Sequence, residues 1–218
     1  KTFHLPRVRG NPTRIIRSET GHIMDNYFPS ILNDAIGPVM RGASSSHVAA
    51  AYRIGRLGRD YMNGDLSKVL IEYDPNGSLE PTHDSQGSDM GLFTGLMGWN
   101  ITDDRMVDAR KHLEATGTDV EIAITDYGAS HPNTYKLTLT NDTESCCLLA
   151  ISIGGGIIEI IAIDDIKLSL YGDYHETFIW PQDTTLDQYL NDLPYVDSVH
   201  THQGLQGHVL QVKGQKAI

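Results

Sequence analysis

Three consecutive hydroxyls and an imidazole, Ser44-Ser45-Ser46-His47, stand between a stretch that resists regular structure and one that favours helix. Upstream, Gly37, Pro38 and Gly42 interrupt any regular element; downstream, Val48-Ala49-Ala50-Ala51-Tyr52 has high helix propensity. The serines therefore fall at a helix N-terminus, where the first backbone N–H groups lack partners in the helix and the aligned peptide dipoles add positive potential. A small carboxylate or phosphate is the natural guest of such a place. Serine is also an ordinary N-cap, worth about 1 kcal/mol over alanine. One hydroxyl is accounted for in that way, which leaves the other two to solvent, a loop hydrogen bond or a ligand.

A second polar stretch runs from Ser78 through His83, Asp84, Ser85, Gln86 and Gly87 to Ser88-Asp89, ahead of the apolar, helix-compatible Met90 to Trp99. Ser88 and Asp89 thus mark a second helix entrance. The candidate site is drawn from both entrances: His47 and His83 for proton transfer, and Ser44, Ser45, Ser46, Gln86, Ser88 and Asp89 for holding a substrate. Each imidazole also has a plainer reading, as a loop side chain without a role. The remaining histidines, among them His200, His202 and His208, show no metal-ligand spacing, although His200 and His202 share one face of any strand that carries them. A serine-hydrolase reading of Ser46-His47 fails, because adjacent residues at a helix start do not aim at each other and no nucleophile elbow is present.

The elements that must position these residues follow from periodicity. Residues 1–19, with Arg7, Arg9, Arg14 and Arg17 among prolines, read as an arm, lying against another subunit or solvated. Gly21 to Ala35 is helix-like, broken at Pro29. The helix after His47 carries an apolar stripe, Ile54, Leu57 and Tyr61, beside a stripe of minimal side chains, Ala51, Gly55 and Gly58. Glycine in a helix costs about 1 kcal/mol, so the small stripe predicts another backbone packed closely there. Lys68 to Tyr73 reads as a strand stopped by Asp74-Pro75-Asn76-Gly77, and Asp103 to Ala115 as a helix. Beyond Gly117 the period becomes alternating, with strands over Val120 to Thr125, Thr134 to Thr140, Ser145 to Ile153 and Ile157 to Ile163. Gly154-Gly155-Gly156 joins the last two as a flexible hairpin in preference to a phosphate loop, since no helix follows. From 173 to 218 the order is strand, helix, strand, strand. The fold class is α+β: helices packed on one face of a mainly antiparallel sheet over residues 20–172, then a small β-α-β-β module.

With 218 residues, 39% of them hydrophobic, the chain can bury a real core. A formal charge of -11 disfavours nucleic acid and acidic membrane surfaces as partners. No apolar run reaches membrane-spanning length and the first residues are no secretory signal, so a cytoplasmic protein is expected. The two cysteines, Cys146 and Cys147, are neighbours in a strand and point to opposite faces. They form neither a disulfide framework nor a cluster site, and buried free thiols are their expected state.

Taken together, Ser30 to Asn33, Ile36-Gly37-Pro38, Ser44-Ser45-Ser46-His47, Arg53 to Leu57, Gly77-Ser78-Leu79, Gly87-Ser88-Asp89 and Gly154 to Ile160 resemble the β chain of iron–sulfur-dependent L-serine dehydratase, from about Tyr27 to Gly172. The resemblance implies an allosteric-substrate-binding-type domain followed by a partial ACT-like module, whose last helix and strand are missing. It also implies a cysteine-rich α chain as partner, bearing a [4Fe-4S] cluster, in a dimer of heterodimers. The implied reaction is β-elimination, with cluster iron as Lewis acid on the substrate hydroxyl, giving pyruvate and ammonia. The serine–histidine loop is implied to face the shared site and take the substrate carboxylate or move a proton. Two departures stand out. A longer link, Val39-Met40-Arg41-Gly42-Ala43, precedes the serines, and Gln86 occupies the place of a usual histidine. Glutamine does not titrate, so any acid–base duty there is lost or moves to His83. The alternative function is a non-catalytic amino-acid-binding regulatory module.

Overall fold

A computed structural model describes residues 13–16, 38–181, 186–205 and 207–216. The helical stretch expected over 21–35, and the Ser30 to Gly37 part of the motif set, lie outside the described residues. The helix after the serines is α1, Ser45–Tyr61. Its alanines do more than favour helix: Val48 to Ala51 are fully buried, together with Tyr52, Ile54, Leu57 and Tyr61. Helix α2, Ser88–Leu96, lies against it. The close approach foreseen from the small stripe is there, through Gly55 of α1 and Gly91 and Gly95 of α2. A methyl group on these glycines would sit 2.3 Å from the Leu92 oxygen, 2.3 Å from the Val48 oxygen and 2.2 Å from the Tyr52 oxygen, respectively. Gly58 faces the sheet instead, where a methyl group would meet Leu139 and Leu148.

Six strands form the main sheet: β2 (Lys68–Tyr73), β3 (Asp119–Ile124), β4 (Thr134–Thr140), β5 (Ser145–Gly154), β6 (Ile157–Ile163) and β7 (Ile166–Leu170). Their order is β3-β2-β4-β5-β6-β7. Strands β2 and β3 run parallel and every other neighbouring pair is antiparallel. The parallel pair needs a crossover, and α2 supplies it together with a short 3₁₀ turn at Asp104–Asp108 and helix α3, Ala109–Ala115. The single helix expected from Asp103 is thus split in two. Alternation along the strands sends Val69, Ile71, Tyr73, Tyr135, Leu137, Leu139, Cys146, Leu148, Ala150, Ile158 and Ile160 into the core under α1 and α2. Strand β7 was not foreseen; it is short, and it enters through a turn at Asp164, whose φ of 52° is left-handed.

The second sheet has the order β1-β8-β10-β9, all antiparallel, with β8 at His175–Ile179, β9 at Val196–Gly204 and β10 at Gly207–Gly214. Helix α4, Leu186–Asn191, covers one face through Leu190, Leu210 and Val212. From the opposite face Phe178 and Val209 join the core of the main sheet. The strand-helix-strand-strand order matches the expectation, and the surprise is β1. Thr13–Ile16, inside the stretch read as an arm, adds an edge strand alongside β8.

Candidate functional site

Ser44 is the N-cap of α1, with extended backbone, yet its side chain caps no backbone N–H. Its hydroxyl lies 2.7 Å from His47 Nδ1. The first turn holds no acidic residue, so the positive end of a 17-residue helix gets no compensating charge from its own first turn. Ser45 is exposed there, while Ser44, Ser46 and His47 are half-buried.

The loop ahead of the serines is fastened from three sides. Arg41 donates to the Thr102 and Asp103 carbonyls at 3.0 and 3.1 Å and pairs with Asp104 at 3.2 Å. Gly42, with a φ of +105°, packs onto Val48 and Met90. The hairpin Gly154-Gly155-Gly156 supplies the third side. A methyl group on Gly156 would stand 2.9 Å from Pro38 Cγ and 3.1 Å from Ala49 Cβ, and Arg53 of α1 donates to the Gly156 and Tyr171 carbonyls at 3.3 and 2.9 Å. The last glycine of the hairpin thus serves close packing, whereas the first two border open space.

At the second entrance the cap is Gly87, in the left-handed region with φ 82°. Ser88 begins the helix and is fully enclosed; the Tyr135 hydroxyl donates to its Oγ at 3.2 Å. Expected as a substrate contact, Ser88 is instead a buried polar tie between α2 and β4. Asp89 has both carboxylate oxygens engaged: Oδ1 accepts from the Tyr73 hydroxyl at 2.9 Å, and Oδ2 lies 2.6 Å from His83 Nδ1. The Tyr73 ring stacks on the His83 imidazole, centroids 4.5 Å apart and planes 25° off parallel, and meets Tyr135 edge-on. Burial, then the neighbouring Asp89 charge, pushes the Tyr73 phenol well above its ordinary range; burial also raises Tyr135. Both therefore stay protonated and act as donors. Gln86 joins the two entrances, its main-chain carbonyl accepting from the Ser44 N–H at 3.2 Å. Val48 lies beneath both, against Gly42 on one side and Gly87 on the other.

Tyr73 and Tyr135 are the contributors that periodicity conceals. Each falls on the inward register of a strand and reads as core; the available signal is the phenol oxygen, which needs a partner once buried.

No family model matches the chain. A protein of Bacillus subtilis strain 168 named probable L-serine dehydratase, beta chain, is 38% identical over 141 residues, covering 65% of this chain and 63% of that protein. The L-serine dehydratase beta chain of Peptoniphilus asaccharolyticus is 28% identical over 163 residues, covering 73% and 72%. This chain is similar to the L-serine dehydratase β chains of these two organisms. It spans 63% of the length of the Bacillus protein.

The two cysteines lie on one strand, β5. Cys146 is buried, its sulfur 3.4 Å from Met62 Sδ, and Cys147 is half-buried on the other face of β5, its thiol pushed up by burial. Both are free. Two thiols on opposite faces of one strand do not fit a four-iron cluster. Among the described residues no group of three or more His, Cys, Asp or Glu is placed to hold a metal ion, and no helix is long and apolar enough to cross a membrane.

Proposed function

We propose that this chain is the β subunit of an iron–sulfur-dependent dehydratase of L-serine or a related hydroxy-amino acid, one wall of a site shared with a cysteine-rich α chain. The observation that carries the reading is the α1 N-terminus, whose first turn holds no acidic residue, with three serines and His47 on it and the α2 entrance bonded alongside through the Gln86 main chain. The names of the two relatives supply the chemistry it would serve. In this reading the first-turn N–H groups and the Ser44, Ser45 and Ser46 hydroxyls take the substrate carboxylate, with the Gln86 amide beside them. His47 and His83 are the groups able to carry a proton during β-elimination. Loss of the α-proton and of the β-hydroxyl as water leaves aminoacrylate, which hydrolyses to pyruvate and ammonia. The [4Fe-4S] cluster belongs to the α chain, because this chain's thiols cannot ligate it, and the assembly is a cytoplasmic dimer of heterodimers.

The test is anaerobic reconstitution of the full chain with a cysteine-rich α chain, followed by assay of pyruvate from L-serine. Product is expected only with both chains present, with turnover reduced on the order of 100-fold by His47→Ala. Saturable binding of an amino acid by this chain alone, with no product in any mixture, would instead identify a non-catalytic regulatory module.

A further inference from the structure

Within that reading, we infer that Asp89 and Tyr73 are positioning residues that hold His83 as its Nδ1–H tautomer and leave Nε2 as the one ring nitrogen free to exchange a proton with a ligand. The inference starts from a count of lone pairs. An ionised carboxylate is acceptor-only, so the 2.6 Å contact between Asp89 Oδ2 and His83 Nδ1 requires the proton to sit on Nδ1. In the neutral ring the basic lone pair is then on Nε2. A surface ion pair would leave the second carboxylate oxygen to water; here Oδ1 is taken by the Tyr73 hydroxyl, which arrives from the core end of β2. Tyr73 acts twice, because its ring also lies flat on the imidazole and so limits the plane in which the histidine can turn.

Three elements thus converge on one imidazole: the loop that carries it, the first turn of α2, and the last residue of β2. The His83 and Asp89 side chains retain 19% and 13% exposure, so the pair is neither sealed in the core nor dispersed by solvent. Asp89 stands at the entrance of α2, where a carboxylate already gains from the helix dipole, so the anchor of the pair is fixed in place. The arrangement matches the way an oriented carboxylate sets the tautomer of a general base. It also gives Asp89 a role other than substrate contact, since each of its oxygens already accepts from a protein donor. Gln86, the nearest alternative in the same loop, has no proton to exchange at neutral pH.

The test has an arm on the full chain alone and an arm on the reconstituted holoenzyme. In the first, long-range ¹⁵N–¹H spectra of the histidine side chains are recorded near pH 8, with His83 assigned by its loss in His83→Gln. A protonated Nδ1 and a bare Nε2 are expected in the parent, persisting in Tyr73→Phe with a broader signal and giving way to Nε2–H in Asp89→Ala. In the second arm, Asp89→Ala is expected to lower kcat about tenfold or more with KM changed less than about twofold, and His83→Gln to lower kcat on the order of 100-fold. An Nε2–H tautomer in the parent overturns the inference whatever the enzyme does. So does an Asp89→Ala variant with raised KM and unchanged kcat, which marks a substrate contact. Inactivity of the parent holoenzyme with the Nδ1–H tautomer intact counts against the dehydratase reading alone, and the spectra then still support the positioning.

Discussion

Side chains with one good partner and one missing partner are where this molecule responds to its surroundings. Glu176 of β8 is fully enclosed. Its Oε2 accepts from Gln211 Nε2 at 2.9 Å, and the same amide's oxygen lies 2.7 Å from His202 Nε2. Among the described residues Oε1 has no hydrogen-bond partner, and it stands 3.6 Å from Lys213 Nζ. Burial pushes this carboxyl from 4.5 up to about 7, opposed only in part by the Lys213 charge and the Gln211 hydrogen bond. The folded state therefore keeps a proton that the unfolded chain releases at lower pH. Its contribution to stability is complete below about pH 4.5 and is lost as pH rises through about 7. The stability difference between pH 4.5 and pH 8, measured by urea denaturation, is expected to shrink in Glu176→Gln by on the order of 3 kcal/mol. At this scale the sequence was readable where polar residues break a pattern, as His47, His83 and Asp89 do at helix entrances. It was opaque where a polar atom rides inside an apolar pattern, as with Tyr73, Tyr135 and the enclosed Ser88.

Elements add constraints that no single residue displays. The α1–α2 crossing brings backbone against backbone at Gly55, Gly91 and Gly95, and the groups met are carbonyl oxygens and amides, which cannot swing aside as a side-chain tip can. Gly91→Ala is expected to cost about 2 kcal/mol or more by overpacking, read as a lowered urea midpoint at unchanged m-value. The same change displaces the first turn of α2, so it also loosens the contact between Asp89 and His83. Gly117→Ala is the control: a methyl group there meets nothing, and only the left-handed φ of +93° resists it, at about 1 kcal/mol. The small stripe on α1 was legible because glycine inside a helix is costly and demands a reason. The partner stripe on α2 was less so, since three glycines in one short apolar run leave helix and loop nearly balanced until packing decides.

The whole molecule is knit by residues that belong to both sheets. Phe178 of β8 is buried in the main core and meets Tyr61 of α1 edge-on, with ring centroids 6.1 Å apart, and Val209 lies in the same cluster. Phe178→Ala is expected to cost about 3 to 5 kcal/mol. The two tryptophans, Trp99 beside α2 and Trp180 after β8, both pack on that core. Single-tryptophan variants, Trp99→Phe and Trp180→Phe, are therefore expected to report one common unfolding midpoint. Most strands were legible as short alternating runs between turn residues, and so was the order of β8, α4, β9 and β10. The pairing of β2 with β3 was not, because partners in a parallel pair are chosen across a whole crossover. Strand β1 escaped for the same reason: Thr13, Ile15 and Ile16 are β-branched and suit a strand, but so short a run among arginines and prolines carries no alternation, and its state is set by a distant neighbour.

That last pairing bears on how the protein is made. Ile15 bonds alongside Thr177, roughly 160 residues further on, and closing so large a loop is slow compared with forming local turns. A ribosome releases the first strand long before the mate exists. The segment Thr13–Ile16 must therefore wait unpaired until His175–Ile179 has been made, and the edge of the second sheet closes only after the main sheet between them has been synthesised.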